Sequence, residues 1–282
     1  MKVIQMICRF YKYQGAGNDF LIADNRDGSL CLSAEQIASI CDRRYGVGAD
    51  GLMLLEKCED SDFRMVYYNS DGSGGMMCGN GGRCIVAFAA DMGISGFDFE
   101  AADGLHTAQI LKDDGRMKIV RLKMKDVSEI HCHKSLQGVS APSEGCFLDT
   151  GTRHYVRMVD GLDEYDIVSE GRDIRYNASE LQPVGANVNF VEPYDGGIKV
   201  RTYEKGVEDE TFACGTGIVA SCIAAYTKGV RPSFSGNGRV RYDVMAKRDL
   251  LAVDFIPGDV AEDVYLTGPA VYVAEILLDL NF

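Results

Sequence analysis

Two stretches of this chain open with Cys-Gly-x-Gly and continue as small and apolar residues up to a glycine. The first is Cys78-Gly79-Asn80-Gly81, running through Ile85, Val86 and Phe88 to Gly93. The second is Cys214-Gly215-Thr216-Gly217, running through Ile218, Val219 and Ile223 to Gly229. Aligned from the cysteine, they share Cys78/Cys214, Gly79/Gly215, Gly81/Gly217, Ala89/Ala225 and Gly93/Gly229. A helix that is apolar on every side must be enclosed by other structure, so each stretch demands a shell of its own. The spacing predicts two halves of similar architecture, each with many strands around one buried helix.

The residues around the two stretches read mostly as strands. Arg9–Gln14 and Phe20–Ala23 flank a Gly-rich turn, and Leu52–Glu56, Phe63–Tyr68, Phe97–Ala101, His106–Leu111 and Lys118–Met124 follow. Ser33-Ala34-Glu35-Gln36 has capping-box spacing and predicts a helix to about Cys41. Asp126 to Glu144 is polar and unpatterned and is the linker candidate. Beyond it come strand-like Cys146–Asp149 and His154–Val159, a short helix near Asp163–Glu170, and strand-like Asn187–Val191 and Ile198–Tyr203. Past the second helix the chain is strand-like again, over Arg239–Val244, Leu250–Phe255, Asp263–Leu266 and Val271–Leu278. Gly15-Ala16-Gly17-Asn18-Asp19-Phe20 has a loose counterpart in Gly185-Ala186-Asn187-Val188-Asn189-Phe190, and the segment from Asn25 to Gly51 reads as extra in the first half. The expected fold class is α/β (α+β): two pseudo-symmetric domains, residues 1–127 and 128–269, with the last strand, 270–282, returning to the first.

With 282 residues the chain is long enough for one large domain or two ordinary ones, and its composition, 46% hydrophobic and 25% charged, is that of a soluble globular protein. A net charge of -13 argues against general nucleic-acid binding, which requires a basic surface. No apolar run reaches the roughly 18–20 residues of a membrane span, and the N-terminal run is too short for a secretory signal. Ten cysteines in a chain of this size, several of them inside apolar runs, read as reduced thiols in the cytoplasm.

The chemistry lies at the helix starts. The first turn of an α-helix presents N–H groups without intrahelical partners and the positive end of the helix dipole, an arrangement that binds a carboxylate. A cysteine placed there has its pKa lowered toward neutrality, and glycine beside it allows a ligand close to the backbone. One such cysteine could be a nucleophile, a redox thiol or nothing in particular. Two, one per half, can serve opposite faces of one carbon: a thiolate removes a proton while the opposing thiol delivers one. That inverts a stereocentre without a cofactor, provided N–H donors hold the carboxylate and stabilise the charge that develops on it.

With these residues in place, the chain resembles the pyridoxal-phosphate-independent diaminopimelate epimerases over nearly its full length. The motifs are Gly15-Ala16-Gly17-Asn18-Asp19-Phe20, Arg44-Tyr45-Gly46-Val47-Gly48-Ala49-Asp50-Gly51, Tyr68-Asn69-Ser70-Asp71-Gly72-Ser73 leading to Cys78, Thr150-Gly151-Thr152-Arg153-His154, Asn187-Val188-Asn189-Phe190, and Tyr203-Glu204-Lys205-Gly206 leading to Cys214. The resemblance implies Cys78 and Cys214 as the acid/base thiols, with His154 and Glu204 helping to set their protonation. It implies Gly79, Asn80, Gly215 and Thr216 as binders of the α-carboxylate and α-amino end, and Asn18, Asn69 and Asn187 as holders of other polar groups of the substrate. It implies curled mixed sheets around central helices, no cofactor and no metal. The reaction implied interconverts LL- and meso-diaminopimelate in lysine biosynthesis. The expected partner is that small molecule, neither nucleic acid nor membrane, and a homodimer is compatible with the sequence. Two positions depart from the family pattern at the distal end of the substrate: Gly-Asn-Pro-His is here Gly151-Thr152-Arg153-His154, and Glu-Arg-Gly is here Glu204-Lys205-Gly206. Lysine cannot make arginine's planar bidentate contact, so a racemase of another amino acid on the same fold is the alternative. A non-catalytic or redox dithiol protein is the third reading.

Three further features read as bland. Gly46-Val47-Gly48-Ala49-Asp50-Gly51 matches a dinucleotide pattern but precedes a strand instead of following one, so it reads as a loop. His131-Cys132-His133 lies in the linker candidate and reads as exposed, and Glu208-Asp209-Glu210 reads as a solvated acidic turn.

Overall fold

The computed structural model describes residues 7–75, 77–133, 135–140 and 144–280, with the backbone alone for His133. The chain forms two compact units. One runs through Leu122 and takes in the segment from Pro269 onward; the other is Lys123–Gly268. The fold is a mixed α/β architecture with few helices, and no helix among the described residues is long and apolar enough to cross a membrane.

The first unit contains β1 (Ile7–Gly15), β2 (Asn18–Asp24), α1 (Ala34–Cys41), β3 (Gly51–Glu56), β4 (Phe63–Asn69), α2 (Gly79–Asp91), β5 (Asp98–Ala101), β6 (Gly104–Asp113) and β7 (Met117–Lys123), whose last residue belongs to the second unit. β1 pairs antiparallel with β2, β2 parallel with β3, β3 antiparallel with β4, β4 parallel with β5, and β5, β6 and β7 antiparallel in succession. The capping box at Ser33 is formed: its hydroxyl accepts from the Gln36 N–H while Gln36 reaches back to the Ser33 N–H. α1 buries Ile37 and Ile40 against Leu21, Ala23, Leu52 and Leu54. The alternate residues Phe20 and Ile22 are equally buried, because α2 packs on β1, β2 and β3 and strand side chains alternate between faces.

The second unit contains β8 (Ile130–His133), β9 (Gly145–Asp149), β10 (Arg153–Met158), α3 (Ile167–Asn177), β11 (Asn187–Tyr194), β12 (Gly197–Glu204), β13 (Asp209–Thr211), α4 (Gly215–Thr227), β14 (Phe234–Gly236), β15 (Arg239–Met245), β16 (Leu250–Ile256) and the start of β17 (Glu262–Asp279). Its pairing order repeats that of the first unit. β9–β10 is antiparallel, β10–β11 parallel, β11–β12 antiparallel, β12–β15 parallel, and β15–β16 and β16–β17 antiparallel. The later part of β17 pairs with β1 in the first unit.

The shared residues of the two apolar helices have a local cause. Each helix ends in a glycine with positive φ, Gly93 at 82° and Gly229 at 78°. The next N–H returns to Ala89 O in α2 and to Ala225 O in α4, both at about 2.9–3.0 Å, which is the Schellman stop. The repeated Ala and Gly are thus the two ends of the same cap.

Five sequence readings are corrected. The counterpart of Gly15–Phe20, which leads into β2, is not Gly185–Phe190 but Thr150-Gly151-Thr152-Arg153-His154, which leads into β10; Gly185–Phe190 leads into β11, the equivalent of β3. Gly-rich turns before strands look alike locally, and only the pairing order separates them. The Asn25–Gly51 segment is not extra, since a helix joins the two parallel strands in both units: α1 in one, α3 in the other. The linker candidate is structured in part: Val127 pairs with Ala261, Ile130–His133 is β8 against β9, and Leu136 is buried beside Tyr155 and Phe190. Its residues 134 and 141–143 lie outside the described residues. Cys132 and Cys146, opposite one another on β8 and β9, are joined as a disulfide, against the expectation of reduced thiols throughout. The helix expected near Asp163–Glu170 is a short turn, Leu162–Glu164, followed by α3, whose first turn is capped by the Asp166 carboxylate accepting from the Ser169 N–H.

Candidate functional site

Cys78 is the N-cap of α2. Its backbone is extended, and its Sγ accepts the Gly81 N–H at 3.2 Å. Gly81 admits this approach, since a Cβ there would come within 3.2 Å of the sulfur. One residue into the helix, Asn80 is buried and held from both sides. Its Oδ1 accepts from the guanidinium of Arg83 at 2.9 Å, and its Nδ2 donates to Asn18 Oδ1. Asn18 in turn donates to Asp50 Oδ2 at 3.1 Å, so both amides are oriented by charged residues. Arg83 is fully buried and also donates to Gly79 O and Pro269 O. Burial opposes ionisation of Asp19, but Arg43 and Lys12 outweigh it and hold that carboxyl below its ordinary range. Asn69 is turned to its own loop, donating to the Ser73 hydroxyl at 3.0 Å.

Cys214 is the N-cap of α4, with Sγ 3.5 Å from the Thr216 hydroxyl. That hydroxyl lies 3.0 Å from His154 Nε2 and 3.2 Å from the Thr152 hydroxyl, and Thr152 is itself 2.9 Å from Nε2. The Thr150 hydroxyl donates to Thr216 O at 3.2 Å, tying the end of β9 to the helix start. His154 is fully buried at the start of β10, and Asn189 Nδ2 lies 3.1 Å from its Nδ1. Asn187 bridges two strand ends, donating to Arg153 O and accepting from the Lys205 N–H. Glu204 accepts the Thr211 hydroxyl at 2.7 Å, and Lys205 is exposed at the end of the same strand. Arg153 lies over the Phe147 ring, 5.1 Å from its centroid.

The structure therefore gathers Cys78, Gly79, Asn80 and Asn18 in one unit, and Cys214, Gly215, Thr216, Thr152 and His154 in the other. Asn69, Asn187, Lys205 and Glu204 make their contacts with neighbouring loop and strand-end groups. Among the described residues no group of three or more His, Cys, Asp or Glu side chains could hold a metal ion. Two expectations change. The second glycine of Cys214-Gly215-Thr216-Gly217 leaves room for a protein group rather than for a ligand: a Cβ on Gly217 would stand 2.3 Å from Asn189 Oδ1. The acidic run before α4 is not merely solvated, since Glu210 receives Arg201 through two hydrogen bonds of 2.7 and 2.9 Å. Sequence reasoning missed Arg83, Asn189 and the buried Thr202, whose hydroxyl donates to Asn189 Oδ1. The available signal was polarity out of place: an arginine in an otherwise apolar helix, and an asparagine inside the strand run Val188-Asn189-Phe190-Val191, where a buried polar group must find a partner.

Burial pushes the His154 pKa down to about 3, so the ring is neutral in the folded protein. The unfolded chain takes up a proton near 6.5, so it binds more protons than the native state between that value and about 3. Stability is expected to fall as pH drops through this window, by about 2 kcal/mol between pH 7 and pH 5. Urea unfolding at the two pH values should show this loss in the wild type and a smaller one in His154→Asn. Equal losses in both would show that His154 is not the source.

The sequence profile of the diaminopimelate epimerase family matches residues 10–129 and 146–251. The chain is 42% identical over 275 residues to the diaminopimelate epimerase of Flavobacterium psychrophilum, covering 95% of this chain and 98% of that one. It is 43% identical over 262 residues to the diaminopimelate epimerase of Chlorobaculum tepidum, covering 91% and 95%. Among solved structures, a hydroxyproline epimerase from Agrobacterium vitis with bound trans-4-OH-L-proline superposes with a TM-score of 0.70 over 100% of this chain and 95% of that one, at 15% identity, a likeness of fold.

Proposed function

The chain belongs to the diaminopimelate epimerase family, and from that premise we propose that it interconverts LL- and meso-diaminopimelate through Cys78 and Cys214, one removing the α-hydrogen and the other delivering a proton to the opposite face. It is an isomerase of lysine biosynthesis. The observation that carries the two-thiol reading is the repeated geometry: each cysteine is the N-cap of a helix enclosed by its own unit. In this reading the first-turn N–H groups at Gly79, Asn80, Gly215 and Thr216 receive the α-carboxylate and stabilise the charge that forms on it as the hydrogen leaves. The Asn80 and Asn18 amides, fixed by Arg83 and Asp50, present their remaining N–H groups to the substrate. Asn69, Asn187, Thr152 and Lys205 contribute to the rest of substrate recognition, and Glu204 and His154 support the thiols. The chemistry needs no cofactor, because the acid and the base are side chains.

Reduced thiols at Cys78 and Cys214 call for a reducing setting, so we propose that the enzyme works in the cytoplasm; the Cys132–Cys146 bond departs from that setting at one pair. We also propose a homodimer acting on a small molecule, with no nucleic acid or membrane involved. The test is α-hydrogen exchange in deuterated water with a panel of amino acids. Exchange from LL- and meso-diaminopimelate, and weak exchange elsewhere, is the expected result. Strong exchange from a different amino acid would replace the substrate and keep the reaction, whereas none from any would end the reading.

A further inference from the structure

Asn189 and Thr202 belong to no group assigned above, yet both are buried and both bear on the ring of His154. The amide of Asn189 has one possible orientation. Its Nδ2 side faces the carbonyl of Tyr155 at 3.4 Å, and a carbonyl only accepts. Turning the amide over would set two acceptors against each other. On the opposite side, the Thr202 hydroxyl donates to Oδ1 at 2.9 Å. The same Oδ1 fills the space beside the first turn of α4 that Gly217 leaves open. The amide is therefore clamped, and its Nδ2 meets His154 Nδ1 at 3.1 Å. A donor pointing at Nδ1 requires that nitrogen to carry a lone pair, so the proton of the neutral ring sits on Nε2.

The consequence reaches Cys214. Nε2 points at the hydroxyls of Thr152 and Thr216, and the Thr216 hydroxyl is the one beside the sulfur. A hydroxyl has a single proton to give. When Nε2–H donates to the Thr216 oxygen, the Thr216 proton is available to the sulfur and favours the thiolate. If Nε2 were bare, it would draw that proton to itself, and the sulfur would face oxygen lone pairs, which favour the thiol.

We propose that Asn189 and Thr202 are positioning residues that hold His154 as an Nε2–H donor, so that His154 supports the Cys214 thiolate through the Thr216 hydroxyl instead of taking its proton. The catalytic consequence rests on the reading of Cys214 as an acid/base thiol; the tautomer does not.

The test is nitrogen NMR of protein labelled with 15N-histidine. The chain has four histidines, and His154→Gln assigns the signal. A bare Nδ1 and a protonated Nε2 at neutral pH are expected. A protonated Nδ1, alone or in a doubly protonated ring, would overturn the proposal. In Thr202→Val, kcat is expected to fall roughly tenfold, the effect of losing one hydrogen bond. KM should be unchanged, and the acidic limb of the pH profile should move to higher pH. Thr202→Ser should restore both kcat and the limb. A Thr202→Val protein with wild-type kcat, pH profile and His154 spectrum would overturn it. Absence of α-hydrogen exchange in the wild type would overturn the epimerase reading, and with it the catalytic half of this proposal, while the nitrogen spectrum would still decide the tautomer.

Discussion

Replacing either Cys78 or Cys214 by alanine is expected to lower kcat by about 10²–10⁴-fold, the usual contribution of one positioned acid or base. In the proposed mechanism each thiol serves one direction as base and the other as acid, so neither can substitute for its counterpart. The backbone should hold, because a capping side chain contributes only about 1 kcal/mol, and Cys214 makes no side-chain cap bond at all. Initial turnover in deuterated water provides the sharper measurement. With two thiols the product gains solvent deuterium while unreacted substrate keeps its own hydrogen, since the delivering thiol has equilibrated with solvent. Product that retains the substrate hydrogen would mean that one group carries the proton across, and the paired mechanism would be abandoned. An alanine variant with wild-type kcat would end it equally.

Arg83→Ala is expected to remove about 3–5 kcal/mol of stability. The guanidinium is fully buried in the first half of α2 and donates to Gly79 O, Pro269 O and Asn80 Oδ1. Truncation leaves these acceptors without that donor, at about 1–3 kcal/mol for each one left unsatisfied, and opens a cavity besides. Arg83→Lys keeps the charge and most of the volume but cannot reach three acceptors from one planar group, so an intermediate loss is expected. Urea midpoints of the three proteins provide the comparison. A loss below about 1 kcal/mol in Arg83→Ala would show that the buried network contributes little. Activity should fall more than stability explains in Arg83→Lys, because Asn80 would lose the donor that orients its amide.

Much of the fold was legible because it rests on local rules. The capping box at Ser33 set the start of α1, and the unbroken apolar runs after Cys78 and Cys214 marked helices that had to be enclosed. The repeated Ala and Gly marked where those helices stop. What failed depended on partners far away in the chain. The counterpart of the Gly15 turn could be found only from strand pairing. β8 could not be seen because its four residues, Ile130-His131-Cys132-His133, carry no run of β-branched or aromatic residues, and only the pairing with β9 defines the strand. Glu210 looked solvated because its partner, Arg201, lies on the adjacent strand.

The two cysteines divide the same way. That each stands at the first turn of a buried helix followed from sequence alone, since the helix period, the apolar runs and the glycines are properties of contiguous residues. The family came from the resemblance of several motifs along the chain, which are contiguous sequence too. What surrounds each thiol was decided by tertiary structure. Thr216 beside Cys214, His154 behind Thr216, Asn189 and Thr202 behind His154, and Arg83 and Asn18 about Asn80 are brought together by strand register and helix packing. Hydrogen-bond partners are chosen by distances of about 3 Å, and no spacing along a chain specifies distances between separate strands until the sheets are formed.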